Sequence, residues 1–315
     1  MVRPLNVLFT DSLSMLVGTE ALAKDSMGVA VSGGPDSMAL LDLVTAVAPG
    51  RVEAATVDHG LRAESAAEAE MVARWCGERG VPHAILHPPA PIAGSLQAEA
   101  RRARYALLDA WMAERRLDWL LTAHHADDQL ETLLMRLNRS SGVSGLAGIR
   151  ARRGRVLRPL LGVRKADLEA WVRMRGIPHA ADPSNGNDRF DRARLRGRLA
   201  GIDWLDPVAA TRSAAALADA ETALAWSVAA LAAERIEVQG EGVSLDPQGL
   251  PREYLRRLLA HMVRLVAPDA PEPRGERIDQ AIVQLCRGRK ISIGACLATG
   301  GTRWTVRRAP PRRTG

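Results

Sequence analysis

A six-residue polar run, Ser32-Gly33-Gly34-Pro35-Asp36-Ser37, separates the apolar stretch Gly28–Val31 from the helical pattern Met38–Val44. Strand, glycine turn and helix in that order leave a chain few folds to choose from. Two adjacent glycines let the backbone turn tightly and approach an anion with no Cβ in the way. Amides at the start of the next helix have no intrahelical partner, so the turn reads as a phosphate cradle. Ser32 and Ser37 add hydroxyl donors, and Asp36 is placed to hold Mg2+ against the phosphates. No Gly-Lys-Ser/Thr follows the glycines, which excludes a Walker A loop. A bare turn capped by Asp or Ser is the plainer alternative; the flanking strand, helix and hydroxyls weigh against it.

The pattern repeats downstream. Residues 52–57 read as a second strand ending at Asp58-His59-Gly60-Leu61-Arg62, and 64–79 as a helix stopped by Gly80. Residues 83–86 are a third strand, 96–116 a long helix, 119–123 a fourth strand, and another helix starts near Asp127. Such alternation predicts an α/β fold, a parallel sheet with helices on both faces. Ligands of these sheets sit outside the carboxyl ends of the strands. The polar runs 32–37, 58–62 and 124–131 lie at those ends and look like one site.

Asp128 and Glu131, three apart at a helix start, share a face. Capping accounts for one of Asp127 and Asp128. It does not account for His124, His125, three carboxylates and Gln129 packed into eight residues. A cluster of this kind binds a metal or an ammonium, or moves protons. Zinc ranks below magnesium, which needs only carboxylates and phosphates. For His59, a structural role at a strand end weighs as much as a chemical one.

From Arg136 to Lys165 there are eight Arg and one Lys and no acid, around the loop Ser140–Leu146. That balance favours contact with a phosphate backbone over a solvated loop. The net charge of +7 points the same way, although lysine occurs only at 24, 165 and 290 and arginine abundance alone says little. Residues 206–235 are alanine-rich and helical, 251–266 and 274–287 are two more helices, and 291–308 reads as a β-hairpin turning at Thr299–Thr302. This divides the chain into residues 1–205, which carry the site, and a smaller, mainly helical accessory domain, 206–315. Cys76, Cys286 and Cys296 form no pair with metal-ligand spacing, as expected in a reducing cytoplasm. No secretory signal and no apolar run long enough to cross a bilayer is expected, so no membrane partner is.

The residues carry a resemblance. Ser32–Ser37 matches the Ser-Gly-Gly-x-Asp-Ser loop of the ATP-pyrophosphatase (PP-loop) superfamily, whose fold is adenine nucleotide alpha hydrolase-like. Val57–Arg62, Ala100–Tyr105, Thr122–Thr132, Gly142–Gly148, Arg158-Pro159-Leu160-Leu161 and Asp182-Pro183-Ser184-Asn185 resemble the tRNA(Ile)-lysidine synthetase family, in its order, over residues 28–196. Ala193 departs from the pattern, which has Asn after Arg192. The resemblance is faint beyond residue 215.

It implies ATP-dependent ligation of L-lysine to C2 of the wobble cytidine in the CAU anticodon of an isoleucine tRNA. The route runs through an adenylated tRNA, with release of pyrophosphate and AMP. By resemblance Ser32, Gly33, Gly34, Pro35, Asp36, Ser37, Asp58 and His59 bind ATP, with Asp36 holding Mg2+. Asp128 and Glu131 position lysine, Arg196 pairs with a carboxylate or phosphate, and His124 or His125 accepts a proton. Arg101, Arg104, Arg152 and Arg153 face the tRNA, as does the accessory domain. The alternatives are a 2-thiolating PP-loop enzyme, which would need paired cysteines or a cluster, and a non-catalytic basic RNA-binding protein.

Overall fold

Gly28 sits where a side chain would not fit: a Cβ there would stand 2.8 Å from Cζ3 of Trp111. This contact sets how closely a helix lies on the central sheet of a computed structural model of the chain, which describes residues 3–58, 64–88, 96–180, 191–199 and 201–310. The chain divides into two units, Met1–Asp219 and Ala220–Gly315. The first begins with α1 (Leu5–Val17) and α2 (Thr19–Lys24), then alternates β1 (Met27–Ala30), α3 (Pro35–Val47), β2 (Val52–Val57), α4 (Glu64–Glu78), β3 (His83–Leu86), α5 (Leu96–Arg115), β4 (Trp119–Leu121) and α6 (Ala126–Leu137). There follow α7 (Val143–Leu146), β5 (Arg152–Arg153), β6 (Val156–Leu157), α8 (Lys165–Met174), α9 (Asp191–Leu199) and the start of α10 (Pro207–Arg235).

The sheet order is β3-β2-β1-β4-β6-β5, parallel except for β5. Val29 faces Ala54 on one side and Leu121 on the other. Side chains alternate across the sheet as the two-residue period requires. Met27, Val29, Val31, Leu121 and Leu157 pack with Phe9 and Leu13 of α1, with α3, with Trp75 of α4 and with Leu168 of α8. Ala55 and Leu120 pack on the opposite face against Leu108, Trp111 and Met112 of α5. Burying each such large apolar side chain contributes about 1.5–3 kcal/mol.

The chain leaves β1 toward β2 on one side and later returns to pair β4 on the other. Between the carboxyl ends of β1 and β4 the strand order reverses, which opens a crevice there. The loops after β1 and β4 flank it.

Two short strands that the sequence reading did not anticipate fall inside the basic segment, beyond the loop Ser140–Leu146. Val156 and Leu157 extend the sheet beside β4, and Arg152–Arg153 folds back on them. At two residues each they are too short to show a period.

The second unit adds β7 (Ile236–Gln239), β8 (Gly242–Leu245), α11 (Arg252–Val266), α12 (Gly275–Cys286), β9 (Lys290–Ile293), β10 (Cys296–Thr299) and β11 (Trp304–Arg308) after the end of α10. Its antiparallel sheet runs β7-β8-β11-β10-β9, five strands where the sequence suggested one hairpin. The expected turn joins β10 to β11, and β9 pairs β10 on its other side. Leu258, Leu259 and Met262 of α11 and Ile278, Ala281 and Leu285 of α12 bury against Val243, Leu245, Trp304 and Val306. The missed β7–β8 hairpin has a turn at Gly240, where φ is 57°. There the alternation Ile236, Val238, Val243, Leu245 was visible but brief.

One expectation is amended. The helix α10, 29 residues at a mean hydropathy of 1.2 over its best window, is by length and composition long and apolar enough to cross a bilayer. Alanine supplies most of that apolarity, which is why no leucine-rich run announced it.

Candidate active site

The glycine turn follows β1 as expected. Gly33 has φ of 83°, a left-handed conformation that a side chain would strain. Gly34 caps α3, and Pro35 occupies its first turn, where a missing N–H costs nothing. Ser32 N–H donates to Ser37 Oγ at 3.1 Å, the two hydroxyls lie 3.2 Å apart, and Ser37 Oγ donates to the Gly34 carbonyl at 2.9 Å. The Ser37 hydroxyl thus braces the turn from within. Ala180 N–H donates to the Gly33 carbonyl at 2.9 Å, bringing the chain that leads toward Asp182 against the turn. The Asp182–Asn185 run and His59 lie outside the described residues.

Asp36, in the first turn of α3, faces His125 with Oδ2 at 3.5 Å from Nε2. Its Oδ1 is buried with no hydrogen-bond partner. A buried carboxylate oxygen without a donor is costly unless a cation or ligand completes it. Asp58, after β2, accepts from the Ser65 hydroxyl at 2.7 Å, which ties the strand end to α4.

The run after β4 has a division of labour. Thr122 Oγ1 and His124 Nδ1 are 3.0 Å apart, so the threonine orients the half-buried His124 ring. His125 is buried and caps α6. Its Nε2 lies 3.5 Å from Asp128 Oδ2 as well as from Asp36, and its Nδ1 lies 3.6 Å from Asp127 Oδ2. Burial alone would lower the His125 pKa. Hydrogen bonding to Asp127 and Asp36, with the charges of Asp128 and Asp36, outweighs it and raises the value to about 10. Asp128 N–H approaches Nδ1 at 3.4 Å, a cap available to the neutral ring. Surrounded by three carboxylates, the charged ring is favoured, and its Nδ1–H then faces Asp127.

Asp127 Oδ2 also accepts from Lys165 N–H at 2.8 Å, capping α8. Burial pushes its pKa up, and His125 with the Lys165 amide brings it below the ordinary value. Asp128 Oδ2 accepts from His125 N–H at 3.2 Å, a second capping bond. Arg196 of α9 donates from Nε to Glu131 Oε1 at 2.5 Å and reaches Asp128 Oδ1 with Nη2 at 3.4 Å. Glu131 is buried, 4% exposed, and this guanidinium compensates its charge. Among the described residues of the cluster, four carboxylates (Asp36, Asp127, Asp128 and Glu131) face the cations His125 and Arg196. The excess negative charge suits an ammonium or a divalent ion carried in with phosphates. Among the described residues no group of three or more His, Cys, Asp or Glu is arranged to hold a metal by itself, which leaves the zinc reading without support.

Gln129 has a different task from its neighbours. Its Nε2 donates to the Ile149 carbonyl at 3.0 Å and its Oε1 accepts from Ile149 N–H at 2.6 Å. Gly148, with φ of 63°, makes room, since a Cβ there would stand 2.4 Å from Gln129 Oε1. The amide thus clasps the loop after α7 to α6.

The acid-free basic segment turns much of its arginine inward. Arg136 donates to the Gly145 carbonyl, Arg155 to Asp118 O at 2.9 Å, and Arg158, 6% exposed, to Arg150 O at 2.8 Å. Arg152 is exposed, donates to Leu16 O at 2.9 Å and lies 4.6 Å above the Trp119 ring. With no acid in the segment itself, these guanidinium groups take carbonyls. Arg153 is exposed. On α5, Arg101 lies 5.1 Å over Tyr105, and Arg104 is exposed beside it. Sequence reasoning weighed His125 only as an alternative to His124 and missed its central place. The signal was its position one residue before α6, where a cap must sit.

The sequence profile of the PP-loop domain matches residues 6–201. A tRNA(Ile)-lysidine synthase from Zymomonas mobilis is 40% identical over 315 residues, covering 97% of this chain and 94% of its own. The chain belongs to the tRNA(Ile)-lysidine synthase family. A Ruegeria pomeroyi member is 44% identical over 287 residues, 87% of this chain and 68% of that protein. Among solved structures, the U34-tRNA thiolase NcsA from Methanococcus maripaludis, with its [4Fe-4S] cluster, aligns at a TM-score of 0.54 and 15% identity. That alignment covers 66% of this chain and 77% of that one, and shows a shared fold.

Proposed function

We infer that the protein is a ligase that joins L-lysine to C2 of the wobble cytidine in the CAU anticodon of an isoleucine tRNA, using ATP. One observation carries this: the phosphate turn with the buried, unpartnered Asp36 Oδ1 and the Asp128–Glu131–Arg196 group meet at one sheet edge, in a chain that matches lysidine synthases along nearly its whole length.

The cytidine C2 oxygen is a poor leaving group and must first be activated. It attacks the α-phosphorus of ATP, the bond to the bridging oxygen breaks, and pyrophosphate departs. The Ser32–Ser37 turn and the start of α3 aim backbone amides at the phosphate charge. The residues fit Mg2+ at Asp36, whose Oδ1 would hold it, and bound Mg2+ would neutralise phosphate charge. His125, held as an imidazolium by Asp36, Asp127 and Asp128, contributes fixed positive charge beside the turn.

In the second step one lysine amine attacks C2 and AMP leaves with the bonding pair of the C–O bond. The attacking amine must be neutral. The remaining charges of lysine match the cluster: Asp128 and Glu131 for an ammonium, the Arg196 fork for the carboxylate. His125, already charged, is a poor proton acceptor at neutral pH. We assign that role to His124, whose ring Thr122 orients. Asp58 and His59 are assigned to the nucleotide, and Arg101, Arg104, Arg152 and Arg153 to the tRNA backbone together with the second unit.

The thiolation reading lacks its sulfur carriers. Cys76 and Cys296 are buried, Cys286 is exposed, and all three thiols are free, which also suits a cytoplasmic location. Incubation with ATP, labelled lysine and an isoleucine tRNA transcript tests the assignment. Label should enter the tRNA with pyrophosphate and AMP released in equal amounts. Pyrophosphate release without lysine incorporation would overturn it.

A further inference from the structure

Tryptophan is where this aromatic-poor chain departs from ordinary packing. Of its seven tryptophans, Trp75, Trp111 and Trp304 are buried, and Trp119 and Trp171 are half-buried with their indole N–H groups bonded to Asp25 and Asp42. Trp204 and Trp226 instead are each 76% exposed; Trp226 lies on α10, and Trp204 lies in the segment between α9 and α10. A large aromatic left in water forgoes its burial energy, and one at the rim of a site calls for an occupant.

The position of Trp204 is set from both ends. Upstream, α9 is fastened into the acidic cluster by Arg196 on Glu131, and Ile202 N–H then donates to Leu199 O at 3.0 Å. Downstream, Asp206 pairs with Arg164 at 2.8 Å, and the next residue, Lys165, gives its N–H to Asp127 of the same cluster. Two residues of chain span at most about 7 Å, so Trp204 stays close to the Asp206 anchor. The segment is therefore pinned at each end to α6 or its immediate partners, with the indole outward between the pins. On α9 Arg194 and Arg198 are exposed guanidinium groups, Asp203 is an exposed acid, and the charges of Arg164 and Asp206 offset one another.

We propose that Trp204 is a stacking platform for an unpaired nucleobase of the tRNA anticodon loop, holding the loop while its wobble cytidine occupies the site. This rests on the reading of the substrate as tRNA. Single-stranded RNA is gripped by aromatic side chains flanked by cations, because each base offers a π-face and each linkage a charge. An indole at the rim of the cluster meets both needs. Trp204 acts on substrate position and takes no part in bond making.

The test uses the intact protein and a fluorescein-labelled anticodon stem-loop with a CAU loop, read by anisotropy. Trp204→Ala should weaken binding about 5- to 150-fold, the range for loss of one base–aromatic stack. Trp204→Phe should keep most of the affinity. The KM for tRNA should rise in Trp204→Ala with KM for ATP unchanged, and the melting temperature should stay put. Abasic substitution through the loop should reveal one position that weakens the native protein and leaves Trp204→Ala indifferent. Equal affinity of native protein and Trp204→Ala overturns the platform and leaves the enzyme assignment standing. Failure of the native protein to bind the stem-loop overturns both. A native dimer made monomeric by Trp204→Ala, seen by sedimentation, would give the surface to a second copy of the chain and also overturn the platform.

Discussion

Arg196 on α9 and Glu131 on α6 are joined Nε to Oε1 across 2.5 Å, with Asp128 Oδ1 3.4 Å from the same guanidinium. One cation therefore reads both carboxylates assigned to lysine. On the proposed assignment, incoming lysine would meet a preformed ion pair in which its own ammonium and carboxylate have matching places. Removing Arg196 leaves Glu131 buried with less compensation, so both the empty and the loaded site change.

Arg196→Ala should raise the KM for lysine at least about tenfold while ATP–pyrophosphate exchange stays within about twofold. Glu131→Ala should likewise spare adenylation and depress lysine transfer. The double variant should lose less than the two single losses combined, because the residues act as one pair. Equal loss of both half-reactions in either single variant would contradict a lysine-specific role.

Asp36→Asn keeps the shape of the first turn of α3 and removes its charge. Exchange of pyrophosphate into ATP should fall about 100-fold, and more Mg2+ should be needed for half-maximal rate. Full exchange at ordinary Mg2+ would take Asp36 out of the nucleotide site.

Asp42, buried on α3, accepts from Trp171 Nε1 at 2.9 Å and is ion-paired with Arg175 Nε at 2.9 Å, and so locks α8 onto α3. Asp42→Ala strands the indole N–H at a half-buried position. Urea unfolding should show a loss of about 2–3 kcal/mol with an unchanged denaturant slope. A loss under about 0.5 kcal/mol would make the pair ornamental.

Burial pushes the Cys76 thiol to about 12, with Arg79 pulling weakly the other way, and burial raises Cys296 too. A mild thiol reagent at pH 8 should label Cys286 alone in the native protein and all three cysteines in denaturant. The unfolded Cys76 thiol ionises first as pH rises, so its contribution to stability is intact below pH 9 and is lost between there and about 12. Rapid native labelling of Cys76 would refute its burial.

Gly33→Ala places a side chain at φ of 83°. It should cost about 1–2 kcal/mol in stability and weaken ATP binding more than lysine binding.

The polar turn, the four leading strands and the acidic run were readable because each announces itself locally: a glycine pair, an apolar stretch, a burst of charge. What sequence did not show was the use each charge is put to. Gln129 reads as one more polar residue in the cluster, and only the approach of Gly148 reveals it as a clasp on backbone. Arg136 and Arg158 read as free positive charge, yet both are turned onto carbonyls. His125 differs from His124 by one place in sequence and by an entire environment, since one caps α6 among three carboxylates and the other leans on Thr122. The β7–β8 hairpin and the β5–β6 pair were lost because strands of two to four residues hold too little period to be seen.

The edge strand β5 has a consequence of another kind. A parallel sheet exposes a row of unpaired amides and carbonyls at its border, a standing invitation to further strands. Here the border is only Arg152 and Arg153, reversed in direction and both exposed. A second copy offering the same edge would bring four guanidinium groups together across one strand spacing. The arginines proposed to meet a polyanion thus also make this edge repel its own kind, which guards the β5 border against aggregation.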